Sequence, residues 1–214
     1  MMSKRIAIIG AGGLGKEILA LIGSLPEWSV VGFYDDAIER GVRVNGSQVL
    51  GDLDQLRMDV DGDLNFVIAV GAPSVKKEIL RRLNGLDIRK FPSIVHPSAI
   101  IMDLKSVMIG FGTIISAGCV LTSNISIGDH VLVNINSTIG HDCYLGDFSS
   151  VMPGANISGS VKVGEEVTVG SGANVMNGVA LGNRCKVGMG ATVLRDVVED
   201  ITVAGVPATQ ISKD

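Results

Sequence analysis

From residue 109 to residue 193 a large aliphatic side chain returns at every sixth position. The series starts at Ile109 and passes through Ile115, Leu121, Ile127, Val133 and Ile139 to Val193; all fifteen members are Ile, Leu or Val. The next residue is Gly at eight of these steps: 110, 128, 140, 146, 164, 170, 182 and 188. Four residues past each aliphatic position stands a small or β-branched side chain, such as Thr113, Cys119, Ser137 or Ala155, with Ile125 somewhat bulkier. Side chains alternate across a strand, so the aliphatic residue and the small residue two places before it share one face, which points inward. Each six-residue unit therefore reads as a short strand and a corner, with the glycine supplying permissive backbone for the corner. Three units close a triangular coil of eighteen residues. Stacked at the interstrand spacing of about 4.8 Å, five coils make a prism roughly 24 Å tall.

Composition agrees with such a prism. Aromatic residues are only 4% of the chain while glycine numbers 28. The three cysteines, Cys119, Cys143 and Cys185, all fall at the small inward position. They read as core packing in a reducing cytoplasm, since none forms a CxxC pair. A net charge of −4 without a Lys/Arg block argues against nucleic acid or anionic membrane as the main partner. No apolar run approaches a membrane span, and MMSKRIAIIGAGG lacks the features of a signal peptide.

The first ninety-five residues follow another rule. RIAIIGAGGLGKEILALIGSL reads as strand, glycine turn and helix, with Gly10, Gly12 and Gly15 in GxGxxG spacing. SVVGFYDD is a second strand ending at Asp35 and Asp36, FVIAVGAPS a third strand and turn, KKEILRRL a helix, and KFPSIV a fourth strand. The unit is α/β with a parallel sheet. Its glycine turn lets backbone N–H groups and a helix start approach phosphate. It is too short for a full six-stranded dinucleotide fold, which favours a mononucleotide, with Asp35 or Asp36 meeting a ribose or base edge. A tight turn that merely packs helix on sheet is the competing reading.

An α/β unit followed by hexapeptide coils, carrying IIGAGGLGKE at 8–17, FYDD at 33–36, HPSAI at 96–100, IGHDC at 139–143 and AGVPA at 204–208, resembles the sugar acetyltransferases of the PglD/NeuD type. The resemblance implies a Rossmann-like nucleotide-sugar-binding domain over 1–95 and a left-handed parallel β-helix acyltransferase domain over 96–214. The handedness comes from the resemblance alone, because parallel crossovers are elsewhere right-handed. It implies acetyl-CoA as co-substrate without a metal, a nucleotide-linked amino sugar or a sialic acid as acceptor, and a cytoplasmic homotrimer with sites between prisms. His141 becomes the general base, with Asp142 beside it. Gly10, Gly12, Gly13, Asp35 and Asp36 become the nucleotide-sugar contacts. Three positions depart from the family pattern: Leu14 and Ser150 where histidines are frequent, and Thr209 where a basic residue is usual.

His141 falls at a corner, with Ser123 one coil earlier and Gly159 one coil later. By spacing alone it reads as a solvated corner residue. As a base it needs little tuning, because an imidazole of ordinary basicity is largely neutral at pH 7, and good placement contributes roughly 10²–10⁴ in rate. Gly159 leaves a notch read as the entry for the acceptor or the pantetheine arm. Asp142 either orients the ring or is a solvated corner residue. Corner amides or the Ser150 hydroxyl are the expected oxyanion donors. An extended CoA suits a groove along the prism, and the small residues of GSGA at 170–173 and GMGA at 188–191 mark it: Gly172, Ala173, Gly190 and Ala191.

His96 and His130 read as structural or solvated. Two other classes compete. A zinc site of the γ-carbonic-anhydrase kind needs three converging histidines, and His130 and His141 fall on different corners. A non-catalytic nucleotide-sugar binder needs no base at all. Outward positions change from apolar (Met108, Ile114, Val120, Leu132, Tyr144) to polar (Lys162, Thr168, Asn174, Lys186, Thr192) along the prism. The apolar part calls for a cover, either the N-terminal domain or another subunit.

Overall fold

The computed structural model describes residues 3–60 and 62–211. The N-terminal unit contains β1 (Lys4–Ile9), α1 (Gly13–Gly23), β2 (Trp28–Tyr34), β3 (Arg43–Val44), β4 (Ser47–Gly51), α2 (Leu53–Asp59), β5 (Asn65–Ile68) and α3 (Pro73–Arg82). Its sheet has the order β3-β4-β2-β1-β5, parallel except for the β3–β4 hairpin. Asn45 and Gly46 turn that hairpin with φ of 45° and 85°. Positive φ at both central residues gives the strand twist a two-residue turn requires. Neither the hairpin nor α2 was expected from the sequence. The hairpin's strands are too short for a periodic signal, and α2 has only seven residues.

The expected fourth strand of this sheet lies elsewhere. Ile94–Val95 pairs in parallel with Ile114–Ile115 and opens the prism. Two residues with a Pro just before them carry too little pattern to reveal their partner. The prism is a parallel β-helix with three faces. Face one climbs from Ile94–Val95 to Lys186–Val187 and ends in Thr202–Ala204, against which Thr209–Ile211 runs antiparallel. Face two runs from Ile100–Ile101 to Thr192–Val193, and face three from Val107–Ile109 to Ala180–Leu181. Inside, every member of the six-residue series from Ile115 to Val193 is at most 3% exposed. The cysteines lie in the same core, and burial raises each thiol, Cys185 to about 11.

The corner glycines act differently from expectation. Left-handed backbone occurs three residues after the aliphatic position, at Gly172 and Gly190 but also at Asn136, Asp142, Phe148 and Arg184. The glycine directly after the aliphatic residue answers a crowding constraint instead. A Cβ on Gly140 would lie 2.6 Å from Gly159 N, and one on Gly128 only 2.1 Å from Asp147 Oδ1. Adjacent coils approach so closely at these points that no side chain fits.

The apolar outer positions separate by face. Ile114 and Leu132 on face one join Ile18, Leu21 and Ile22 of α1 in one buried cluster, so the N-terminal domain covers them. Met108 and Tyr144 on face three remain exposed. Further down face one, α3 continues the cover, with Lys77 Nζ 2.5 Å from Glu166 Oε1.

Candidate active site

Faces two and three meet at the edge that carries His141. Strand Thr138–Ile139 ends, Gly140 permits close stacking, and Asp142 takes φ 59° to start the next face. Asp tolerates this left-handed conformation better than most residues, and the turn folds its carboxylate back onto the preceding ring. His141 Nδ1 stands 2.7 Å from Asp142 Oδ2, while Asp142 Oδ1 accepts from Asn124 Nδ2 at 3.0 Å. The hydrogen bond from His141, then that from Asn124, hold the Asp142 carboxyl below its ordinary range. With a carboxylate at Nδ1 that nitrogen keeps the proton, and Nε2 presents its lone pair. Both side chains are exposed, at 58% and 52%. The edge thus holds an oriented and exposed imidazole.

The notch expected at Gly159 is filled by the imidazole itself. A Cβ on Gly159 would lie 2.5 Å from His141 Nε2 and 2.6 Å from Cε1. The glycine is the bed on which the ring lies, so the space a side chain would take there is given to the imidazole.

The edge between faces one and two carries Gly172 and Gly190, both exposed with φ of 67° and 65°, and a Cβ on either would meet nothing within 4 Å. Ala173 and Ala191, expected beside them as contacts, are fully buried in the prism core. They occupy the small inward position, so their side chains face away from any groove. Ser150 is also placed differently. Its side chain lies outward on face one but is completely covered by α3, and its Oγ accepts from Lys76 Nζ at 3.0 Å. A hydroxyl sealed beneath a helix is removed from any thioester, so Ser150 drops out as an oxyanion donor.

Lys76 was not anticipated. It is 2% exposed and donates also to His130 O at 2.7 Å and Ser149 O at 3.1 Å. Burial lowers its pKa to about 7. Beside it, the His130 ring stacks on Phe148 at 5.6 Å and meets Phe91 edge-on at 5.3 Å, with neither nitrogen hydrogen-bonded. Burial first, then the Lys76 charge, push it down to about 4, which keeps it neutral. His130 is therefore a packing element of the domain junction, on a different edge from His141. Among the described residues no group of three His, Cys, Asp or Glu side chains is placed to hold a metal ion.

The glycine turn lies at the other end of the molecule's chemistry. Gly10 has φ 99°, and a Cβ on Gly15 would lie 2.2 Å from Gly10 O, so helix and strand pack as tightly as backbone permits. Gly12 and Gly13 face open space. Asp35 braces the turn, its Oδ2 accepting from Ala11 N at 2.7 Å and its Oδ1 from Ala37 N at 2.9 Å. Asp36 accepts from Leu53 N at 3.1 Å and pairs with Arg82. Burial raises its pKa, but the Arg82 and Leu53 hydrogen bonds and the Arg82 charge outweigh it and hold the carboxyl low. Both acids border a hollow of about 310 Å³ whose wall includes Arg40 and Gln55. Asp36 is an anchor of that wall more than a free acceptor.

Within one chain these two centres lie on different edges. The loop after β5, against which the glycine turn packs, comes up to Met152: a Cβ on Gly71 would lie 4.0 Å from Met152 Cε. Met152 begins the edge between faces one and two, whereas His141 lies on the edge between faces two and three. The residues missed by sequence reading, Asn124 and Lys76, carried different signals. Asn124 lies eighteen residues before Asp142, one full coil, and was legible from the period. Lys76 sits in an ordinary helix and had none.

Two family models match the chain: the PglD N-terminal domain over residues 5–83 and the bacterial transferase hexapeptide (six repeats) over 160–195. A curated relative, UDP-N-acetylbacillosamine N-acetyltransferase of Bacillus subtilis (strain 168), is 38% identical over 119 residues. That match spans 53% of this chain and 52% of the relative, about half the length of each. The acetyltransferase domain of PglB from Neisseria gonorrhoeae FA1090 superimposes with a TM-score of 0.90 at 31% identity, covering 98% of this chain and 100% of that one. The same domain in complex with acetyl coenzyme A gives 0.88 at 30% identity over 98% and 100%. PerB from Caulobacter crescentus, in complex with CoA and GDP-perosamine, gives 0.86 at 31% identity over 97% of each chain. Sharing one fold with the PglB domain and PerB from end to end, the chain belongs to the PglD-type family of hexapeptide-repeat sugar acetyltransferases.

Proposed function

We propose that this chain transfers the acetyl group of acetyl-CoA to the amino group of a nucleotide-linked sugar, with His141 as general base. The observation that carries the proposal is the chain of contacts Asn124–Asp142–His141, which fixes the ring and leaves the lone pair on Nε2. The neutral amine attacks the thioester carbonyl and forms the C–N bond as its proton passes to Nε2. Asp142 then faces an imidazolium and stabilises it, the role of the acid in a triad. Collapse of the tetrahedral intermediate breaks the C–S bond, and the departing thiolate takes the proton from the imidazolium. No acyl-enzyme is involved. Corner N–H groups are the candidate oxyanion donors.

The nucleotide sits in the hollow beside Asp35, Asp36 and Arg40, with its phosphates over Gly10, Gly12 and Gly13. Because the glycine turn and His141 of one chain lie on different edges, the acceptor held by one copy meets the imidazole of another in a homotrimer. The exposed Met108 and Tyr144 of face three support such packing. CoA runs along the prism past the open corners at Gly172 and Gly190. No helix among the described residues is long and apolar enough to cross a membrane, and the free buried thiols suit a cytoplasmic enzyme.

Two relatives support a 4-amino nucleotide sugar as acceptor, one named for acetylbacillosamine and one bound to GDP-perosamine. The test is a panel of GDP-perosamine, a UDP-linked 4-amino-4,6-dideoxyhexose, their 4-hydroxyl counterparts and free sialic acid. Release of CoA thiol is followed for the native protein and His141→Ala. Thiol release with an amino sugar, lost by a factor of roughly 10² or more in the variant, is the expected result. Turnover of sialic acid alone would support O-acetylation, and full activity of His141→Ala would remove the base from the mechanism.

A further inference from the structure

We propose that Asn177 is a specificity-determining residue that selects an amine over a hydroxyl at the His141 edge; this rests on the general-base reading above. Asn177 lies two coils beyond His141 on the same edge, and Gly159 lies between them. A Cβ built on Gly159 would have His141 Nε2 at 2.5 Å and Asn177 Oδ1 at 3.0 Å. Both atoms lie over one residue without a side chain, and they are separated by less than the sum of those distances, so their outer sides can be bridged by one incoming group. Asn177 is exposed, so its amide oxygen is free to meet an incoming group.

The two atoms are both hydrogen-bond acceptors, because Asp142 leaves the proton on Nδ1 and the lone pair on Nε2. A group entering between them satisfies both only if it brings two protons. A neutral primary amine has two N–H bonds. One proton passes to Nε2 as the C–N bond forms, and the other stays on nitrogen, donated to Asn177 Oδ1, into the product amide. A hydroxyl has one proton. When that proton points to Nε2, the oxygen turns lone pairs toward Oδ1 and supplies it no proton, so the hydroxyl satisfies one acceptor where the amine satisfies two. The pair therefore favours N-acylation and disfavours O-acylation without contacting the rest of the sugar.

The experiment has two arms. In the first, kcat and KM are measured for native protein, Asn177→Ala and His141→Ala, using the best 4-amino nucleotide sugar of the panel above and its 4-hydroxyl counterpart. Asn177→Ala is expected to lower kcat for the amine about tenfold, leave KM for acetyl-CoA unchanged, and shrink the amine-to-hydroxyl preference by the same factor. An unchanged preference overturns the inference, whereas survival of activity in His141→Ala overturns the reading on which it rests. The second arm needs no acceptor. The chain has only three histidines, so the His141 ring signal is to be assigned by NMR from its loss in His141→Ala. Asn177→Asp places a carboxylate beside Nε2 and is expected to move that ring's titration midpoint to higher pH by about half a unit or more. An unmoved midpoint overturns the shared hollow even if no sugar in the panel reacts.

Discussion

His141 lies across Gly159, its Nε2 2.5 Å from where a Cβ on that glycine would stand. The ring thus occupies space that its neighbour one coil away yields to it. The stacking period of eighteen residues fixes which residue this neighbour is.

Gly159→Ala makes the first prediction. The new methyl contests the positions of Nε2 and Cε1, so the ring must swing out of line. Catalysis tolerates such displacement poorly, since an error of about 1 Å costs on the order of 10² in rate. Turnover should fall ten- to a hundredfold while the thermal midpoint changes little, because the atoms displaced are the tip of the exposed His141 side chain. Steady-state kinetics beside a melting curve checks this, and native kcat in the variant would contradict the placement of the ring.

Asp142→Asn retains a side chain suited to left-handed backbone and removes the charge. The fold should be indifferent. The imidazolium formed during acyl transfer loses its counter-charge, and kcat should fall at least tenfold without a matching rise in KM. A rise in KM alone would mean that Asp142 contacts substrate rather than the ring.

Asp35→Ala releases Ala11 N and Ala37 N from the carboxylate that braces the glycine turn. Hydrogen bonds to a charged group contribute about 1.5–3 kcal/mol, so KM for the nucleotide sugar should rise ten- to a hundredfold. KM for acetyl-CoA should not follow. Parallel changes in both would show general damage in place of a nucleotide site.

Lys76 predicts a pH dependence of stability. Its pKa is about 7 in the folded protein and 10.5 ordinarily. Between those values the unfolded chain binds a proton that the folded chain lacks, so raising pH favours the folded state. The contribution of Lys76 to stability should therefore climb from pH 7 toward pH 10.5. Lys76→Met should flatten that slope. It also leaves His130 O, Ser149 O and Ser150 Oγ without their donor, so the variant should be less stable at high pH, where the native amine is neutral. Urea unfolding of both proteins at pH 7, 8.5 and 9.5 gives the difference, and parallel curves would exclude the mechanism.

Much of this was legible beforehand. The inward series from Ile115 to Val193 is buried at every member, and the small inward row correctly housed the cysteines. The His141–Asp142 pair was visible as neighbours at a corner. The errors share a cause. Ala173, Ala191 and Ser150 read in the sequence as ligand contacts because they are small and lie at or near corners. Yet the alanines face the core, and Ser150 lies under Lys76. Ile94–Val95 was assigned to the wrong sheet because two residues do not name their partner.

Local repetition determined the prism. A period of six forces strand and corner, and a period of eighteen places Asn124 on Asp142 and His141 on Gly159 through contacts between neighbouring coils. Those relations are short in sequence and are set by backbone geometry alone. Only the tertiary structure decided which outward residues are covered, because docking of α1 and α3 on face one depends on shape matching between segments dozens of residues apart. That docking buries Lys76 and Ser150, neutralises His130, and leaves the glycine turn and the imidazole on separate edges. No periodicity encodes it.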